Sequence, residues 1–216
     1  MEGSNPLQLL RGIMANLVTL QNYKDFAGIT GVSEDAKLNV IIPSISQAVK
    51  SYCGSSIVDY YSTNKTEYFD ITNDMTYQIM VDESPIVSVV SVEERDSQSD
   101  SYVTLISENS DGSNKYDYIV DTERDMIIRT TSTGDKMFPK GRKAVKVVYK
   151  AGYASTPADL KLACFDMIKY YLKDERKSNL VISGAQVQNA VSTSLRDNID
   201  FPDHIKRILD FYKVYK

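Results

Sequence analysis

The hydrophobic period changes twice along the 216 residues of the chain. From Ile57 to Val148, apolar and polar residues alternate, which is typical of β-strands with one buried face. Before and after this region, apolar residues recur three and four positions apart, which indicates amphipathic helices. We therefore predict an α+β fold. A large antiparallel β insertion, a sandwich or a small barrel, lies between the helices of a bundle, and a C-terminal arm and helix follow.

Eight candidate strands lie within the alternating region, and polar turn sequences such as TNDM, NSDGSNK and STGDK separate them. The candidates are Ile57–Tyr61, Thr66–Ile71, Thr76–Val81, Val87–Glu93, Tyr102–Ser107, Tyr116–Asp121, Met126–Thr130 and Ala144–Tyr149. This order of short strands and polar turns predicts a compact antiparallel β region.

Start and stop signals mark the helices that precede the β region. Thr19 is suited to cap a helix that closes at Gly28. A second helix is predicted over residues 33–54, with Pro43 removing one backbone donor inside it and kinking it. A shorter amphipathic pattern comes first, with apolar residues at Leu7, Leu10, Met14 and Leu17.

A strand and a helix meet in the stretch VKVVYKAGYASTPADLKLACFDMIKYYLKD, residues 145–174. Alternate side chains from Val145 to Tyr149 point to one face of the strand. Gly152 permits a turn that a side chain would obstruct. Thr156 is suited to be the N-cap of the following helix, with Pro157 at its first position.

These patterns divide the chain into four parts. They are 1–56 with the N-terminal helices, 57–150 with the β insertion, 151–177 with one bundle helix, and 178–216 with the C-terminal arm and terminal helix. The arm, 178–200, is rich in Ser, Asn, Gln and Val. It is too polar to build a core of its own.

The sequence offers little catalytic equipment. Its single histidine, His204, lies in the first turn of the terminal helix, which favours a surface position. Its two cysteines, Cys53 and Cys164, lie within apolar helical patterns, which favours reduced core thiols. We find no phosphate-binding glycine loop, nucleophile elbow or zinc-ligand spacing. The prediction is a protein without catalytic residues, metal or cofactor.

Charge is unevenly distributed along the chain. Residues 60–130 carry 5 basic and 15 acidic side chains, whereas residues 131–216 carry 16 basic and 9 acidic ones. Six basic residues fall within the stretch 136–150, where a strand edge could contact phosphates without reading base sequence. A DNA-binding accessory protein that uses this stretch is therefore an alternative function.

No apolar run approaches the roughly 20 residues that a membrane-spanning helix needs. The first residues also lack the basic and apolar regions of a signal peptide. We therefore expect no membrane partner, and we expect the protein to stay in the cytoplasm or to be assembled there.

Several stretches follow one another in a recognisable order. The start LVTLQNYKDFAGI and a helix ending SISQAVKSYCG come first, and a strand-rich section with VDESPIVSVVSVEE and YDYIVDTERDMIIR follows. Then come VKVVYKAGY, TPADLKLACFDMIKYYLKDER and FPDHIKRILDFYK. Over roughly residues 17–216, this order resembles the head–tail connector, or adaptor, proteins of tailed bacteriophages and gene transfer agents. The longer N-terminus, Pro43 and the developed β section depart from the family pattern.

The resemblance implies a structural, non-enzymatic protein of the virion neck. Members of this family form rings, commonly of twelve copies, that dock under the portal, continue the DNA channel and provide a platform for tail attachment. The implied partners are further copies of the chain, the portal protein, and a tail-completion or tail-terminator protein. Packaged DNA would pass through the lumen without sequence-specific contacts.

Two sets of residues are candidate contacts in such a ring. The terminal helix carries apolar and aromatic residues that could anchor on the portal or a neighbouring subunit, namely Ile208, Phe211, Tyr212 and Tyr215. The alternative is that this helix packs on the bundle of its own subunit. The residues expected to face the DNA channel or phosphates are Lys140, Arg142, Lys143, Lys146 and Lys150. The acidic β section would then lie at the outer rim or face a neighbour.

Overall fold

A computed structural model describes residues 15–108, 116–131, 133–172 and 202–214. These residues form four helices and antiparallel sheets, which confirms the predicted α+β class. They fall into two compact units. The helical unit contains Asn16–Cys53 and Thr156–Lys213, and the β unit contains Gly54–Ser155 together with Ala15 and Val214. The predicted N-terminal helix around Leu7 and the C-terminal arm, 178–200, lie outside the described residues.

The helices of the helical unit are α1 (Leu20–Ala27), α2 (Asp35–Cys53), α3 (Ala158–Leu172) and α4 (Asp203–Asp210). The boundaries of α1 confirm the prediction. The hydroxyl oxygen of Thr19 accepts a hydrogen bond from the backbone N–H of Asn22 at 3.1 Å. Gly28 closes the helix with φ at +68°, in the left-handed region that glycine adopts without strain.

The core of the helical unit follows the predicted helical periodicity. The apolar side chains that α2 and α3 bury are Leu38, Ile42, Ile45, Val49, Cys53, Leu160, Ala163, Cys164, Met167 and Ile168. Pro43 lies inside α2 with its side chain exposed. The buried Ser46 hydroxyl donates to the carbonyl of Ile42 at 2.9 Å and accepts from Leu17 N–H at 3.0 Å. One hydroxyl thus serves both α2 and the chain before α1.

Eight strands form the β unit. They are β1 (Lys65–Ile71), β2 (Gln78–Met80), β3 (Ile86–Glu94), β4 (Val103–Thr104), β5 (Tyr118–Asp121), β6 (Met126–Thr131), β7 (Gly134–Asp135) and β8 (Gly141–Ala151). The first sheet has the order β1-β8-β3-β4, and the second has the order β2-β6-β5 with β7 on β6. Every pairing within the two sheets is antiparallel.

One apolar core lies between the two sheets. It takes Val92 and Val147 from the first sheet and Ile79 and Ile127 from the second. Two separate sheets around a shared core form a sandwich, which is one of the two predicted alternatives. In β8, Val145, Val147 and Tyr149 are fully buried, as the alternation predicted.

The predicted strand Ile57–Tyr61 is wrong, because this segment forms turns. Ile57 has φ at +67°, which is rare for a β-branched residue. Its side chain is nevertheless buried, and its carbonyl accepts a hydrogen bond from Tyr153 N–H at 2.8 Å. Burial and tertiary hydrogen bonds therefore outweigh the local alternation. Conversely, the short strand β7 forms in the STGDK stretch, which was predicted to be a turn.

Glu83 holds the chain just before Ile57. One of its carboxylate oxygens, Oε2, accepts hydrogen bonds from the Ser56 backbone at 2.8 Å and from the Ser55 and Ser56 hydroxyls at 2.9 and 3.0 Å. The other oxygen lies 3.2 Å from Lys65 Nζ. Glu83 is 6% exposed, so these contacts replace the water that its charge would otherwise need.

Tyr149 extends this cluster of buried polar groups. Its hydroxyl donates to Glu67 Oε1 at 2.8 Å and accepts from Glu83 N–H at 3.1 Å. Burial and the negative charge of Glu67 raise the pKa of Tyr149. Burial alone would lower the pKa of Lys65, but its hydrogen bonds and charge contacts with both carboxylates raise it overall.

Gly152 makes the turn at the end of β8. Its φ is +96°, and a Cβ at this position would lie 2.3 Å from the carbonyl oxygen of Ile57. This geometry confirms that a side chain would obstruct the turn. The predicted N-cap is wrong by one residue, because the carbonyl of Pro157 accepts the first helical bond, from Lys161. Thr156 instead donates its hydroxyl to the carbonyl of Leu17 at 2.6 Å.

Candidate interaction surfaces

The predicted basic residues lie along β8 and just before it. Lys146 and Lys150 alternate with the buried residues of the strand and are half-buried on its outward face. Lys146 Nζ donates hydrogen bonds to both carboxylate oxygens of Glu93, at 3.0 Å to Oε2 and 3.2 Å to Oε1. These hydrogen bonds raise the pKa of Lys146. Lys140 Nζ lies 3.5 Å from Asp74 Oδ2. Part of the basic charge is therefore countered by carboxylates from the acidic middle of the chain.

Arg142 and Lys143 form no ion pair with the residues that the structure describes. Both are exposed, and Lys143 has φ at +49°, an uncommon conformation for a residue with a side chain. The register between β1 and β8 shifts at this point. The Lys143 backbone N–H donates to Asp70 Oδ1 at 2.7 Å, and its Nζ lies 5.5 Å from the centre of the Tyr68 ring. A bulge thus presents two cations at the end of the first sheet.

Two side chains from the β3–β4 connection hold the bulge in place. Tyr102 donates its hydroxyl to the carbonyl of Lys143 at 2.6 Å, and Arg95 Nε donates to the same oxygen at 3.1 Å. The guanidinium of Arg95 also lies 4.7 Å from the centre of the Tyr102 ring. The sequence does not link Tyr68, Arg95 and Tyr102 to the bulge, because each lies more than forty residues from it and no local pattern joins them to it.

The terminal helix α4 packs on its own helical unit. Ile205 and Leu209 are buried, and the Leu209 carbonyl accepts a hydrogen bond from the Cys53 thiol at 3.7 Å. Tyr52 donates its hydroxyl to Asp210 Oδ1 at 2.7 Å. The helix therefore contributes to the core of the unit as well as to its surface.

The four proposed anchors of the terminal helix have different surroundings. The Tyr212 hydroxyl donates to Asp159 Oδ1 at 2.6 Å, so it is engaged within the subunit. Ile208 is half-buried, and Phe211 is 85% exposed. Tyr215 lies outside the described residues. Of the anchors that the structure describes, Phe211 is the one most open to a partner.

The described residues include both thiols and the single histidine of the chain. Cys53 and Cys164 are free and buried, and burial raises the pKa of each thiol to about 12. Over the described ranges, no group of three or more His, Cys, Asp or Glu side chains is placed to hold a metal ion. None of the helices in these ranges is long and apolar enough to cross a membrane. His204 is exposed, with Nε2 at 3.9 Å from Asp166 Oδ2.

Comparison with known proteins gives one family and one set of similar folds. The model of the head completion protein family matches residues 16–215. No curated protein sequence was found to match the chain.

Solved structures of gene transfer agent (GTA) particles contain similar folds. A chain in the virion of a native GTA particle is 15% identical, with a TM-score of 0.55, and the match covers 94% of each chain. A chain in the neck of an empty GTA particle, computed with C6 symmetry, is 16% identical with a TM-score of 0.52, covering 93% of this chain and 91% of that one. A chain in a native GTA neck, computed with C12 symmetry, is 14% identical with a TM-score of 0.51, covering 95% and 97%. At these identities the likeness concerns the fold.

Proposed function

Because the chain belongs to the head completion protein family, we propose that it is a head–tail connector subunit in the neck of a tailed phage or a gene transfer agent. The observation that carries the proposal is the extent of the family match, residues 16–215, which includes the described residues of both units except Ala15. Similar folds in two neck structures support it.

In this proposal, identical subunits close a ring of twelve copies under the portal and continue the DNA channel. The C6 and C12 symmetries of the similar necks support a ring. A ring built from one chain needs two different surfaces on each subunit, because each contact is head-to-tail. A tail-completion or tail-terminator protein binds the other side of the ring, and the chain resides in the virion after assembly in the host cytoplasm.

The proposed role is structural and requires no catalysis. Both cysteines are buried and protonated at neutral pH, and the single histidine is exposed on the first turn of α4. The buried polar cluster of Glu67, Glu83 and Tyr149 has its hydrogen bonds satisfied within the protein. These groups support the β sandwich rather than a reaction.

Deletion of the gene tests the connector role in the particle that encodes the chain. Electron microscopy of the lysate should show heads without tails, and supplying the wild-type chain from a plasmid should restore tailed particles. Tailed, infectious particles in the absence of the chain would refute the proposal. A plasmid without an insert is the matched control.

The bulge at Arg142 and Lys143 favours DNA contact as a second candidate function. Its two exposed cations beside Tyr68 fit phosphate binding without base readout. Filter binding of duplex DNA should weaken as salt increases if these cations contact phosphates. The Arg142→Ala/Lys143→Ala variant should reduce the affinity. Equal affinity of the wild type and this variant at low salt would remove the candidate.

A further inference from the structure

The outward face of the second sheet carries four neighbouring apolar side chains, with Gln78 beside Ile128 and Asp121 beside Met126 on the same face. Met80 pairs with Met126, and Ile119 pairs with Ile128. These side chains lie on the face opposite to Ile127, which is fully buried. Met80 is 47% exposed and the other three are partly exposed. A cluster of partly exposed apolar side chains on a sheet face is typical of an interaction surface.

The turn between β5 and β6 gives this face an acidic rim. It carries three carboxylates and one guanidinium, from Asp121, Glu123, Arg124 and Asp125. Asp121 pairs with Arg124 at 3.0 Å, and the Asp125 carboxylate accepts hydrogen bonds from Ser84 and from the backbone of Ile86. Within the described ranges, the exposed Glu123 carboxylate has no ion pair or hydrogen bond. It is therefore the charge that is available to a partner.

The helical unit carries an exposed aromatic ring beside a positive charge. Phe211 follows α4 and is 85% exposed. Arg207 is also exposed and lies four residues earlier, which is about one helical turn. Phe211 keeps a helical backbone conformation, so its ring and the Arg207 guanidinium lie on the same side of the helix end. Together they form an aromatic knob with a positive charge beside it.

We propose that in the assembled ring Phe211 of one copy packs on Met80, Met126 and Ile128 of the next copy, while Arg207 meets Glu123. Methionine side chains adapt to an aromatic ring and make favourable sulfur–aromatic contacts. The opposite charges fix the register of the contact. The knob and the face are two different surfaces of the chain, as a head-to-tail ring contact requires. This inference rests on the proposed ring.

An apolar groove in the helical unit is a less suitable receptor for the knob. Val40, Ala48 and Tyr171 line it, and its volume is about 190 Å³. The exposed Lys37 lies one helical turn before the lining residue Ile41. A lysine one helical turn from the groove disfavours Arg207 there, whereas the sheet face offers Glu123. Charge complementarity therefore selects the sheet face.

Charge reversal in particles tests this contact. Arg207→Glu and Glu123→Lys each place like charges together, so each variant should enter purified particles at least about tenfold less than the wild type. Co-expression of the two variants should restore incorporation, because a ring in which they alternate pairs opposite charges at every contact. Lys37→Glu and Asp100→Lys make the same charge changes at exposed positions on the two units and should incorporate normally. Circular dichroism should show each purified variant to be folded.

The outcomes separate this contact from the proposed function. Absence of the wild-type chain from particles would refute the neck function itself. Normal incorporation of either single variant would overturn the contact and leave the neck function standing. Loss in both variants without rescue on co-expression would show that these two charges do not meet across copies, which also overturns the contact.

Discussion

Arg129 holds Glu94 through two parallel hydrogen bonds, from Nε to Oε2 at 3.0 Å and from Nη2 to Oε1 at 2.9 Å. Arg129 belongs to β6 and is 1% exposed, whereas Glu94 ends β3. The pair therefore joins the second sheet of the sandwich to the first. Its remaining guanidinium nitrogen donates to the carbonyls of Asp117 and Thr130. A buried arginine with all three guanidinium nitrogens engaged fixes how the two sheets are aligned.

Removal of one partner from this pair should strongly destabilise the β unit. Glu94→Ala leaves a buried guanidinium without its main counter-charge, and we expect a loss of about 3 kcal/mol in the free energy of unfolding. Urea denaturation measures the change. The control is Arg124→Ala, which removes the 72% exposed partner of the Asp121–Arg124 ion pair and should cost less than about 1 kcal/mol. Equal effects of the two substitutions would show that burial of Arg129 does not matter.

Gly152→Ala should destabilise the protein through a backbone clash. The added Cβ would lie 2.3 Å from the Ile57 carbonyl oxygen, and the residue would have to hold φ at +96°. We expect a cost of about 3 kcal/mol from the strained backbone and overpacking together. Gly28→Ala is the matched control, because its φ is +68° but nothing lies within 4 Å of the new atom. It should cost about 1 kcal/mol in thermal or urea unfolding. The difference between the two substitutions measures the contact with Ile57.

Stability should fall with rising alkaline pH because of the two buried thiols. Burial raises the pKa of Cys53 and of Cys164 to about 12, whereas an unfolded cysteine ionises near pH 8.5. Below about pH 8.5, the thiols are protonated in both the folded and the unfolded state, so their contribution to stability is fully present. Between about pH 8.5 and 12, the unfolded state loses protons first, so the free energy of unfolding decreases by up to about 1.4 kcal/mol per pH unit for each thiol.

The substitution Cys164→Ala tests this pH dependence. Above about pH 9, it should remove the contribution of one thiol to the slope of the free energy of unfolding against pH, whatever its effect on stability at neutral pH. Urea unfolding at pH 7, 9 and 10 gives the slope. An unchanged slope would contradict the predicted contribution of Cys164. Native protein should also react with a thiol reagent far more slowly than unfolded protein.

The elements that could be predicted from the sequence depend on near neighbours in the chain. Thr19 and Gly28 lie at the two ends of α1, and the alternation in β8 needs only the strand itself. The segment Ile57–Tyr61 alternates as well, but Glu83 and Tyr153 hold its turns from distant positions. Local pattern cannot reveal such partners, since hydrogen bonds between distant residues depend on the completed fold.

The interaction surfaces show the same division. The sequence left open whether the terminal helix anchors on a partner or packs on its own bundle, and the structure buries Leu209 of α4 within the helical unit. Helical periodicity did not reveal that Asp159, 53 residues away, engages the Tyr212 hydroxyl. Nor did charge counting reveal that Glu93 neutralises Lys146. The acidic and basic parts of the sequence meet within the folded β unit, so their separation along the chain overstates the charge separation on its surface.

Two residues of the terminal helix should separate folding from assembly. Leu209 is fully buried, so Leu209→Ala should lower the free energy of unfolding by about 3 kcal/mol. Phe211 is 85% exposed, so Phe211→Ala should change it by less than about 0.5 kcal/mol while reducing incorporation into particles. Urea denaturation and quantification of the chain in purified particles measure the two effects. Deletion of the whole helix cannot make this distinction, because it also removes Ile205 and Leu209 from the core. A stable Phe211→Ala variant that enters particles at the wild-type level would exclude Phe211 as an anchor, and a large loss of stability would show that its ring supports the fold instead.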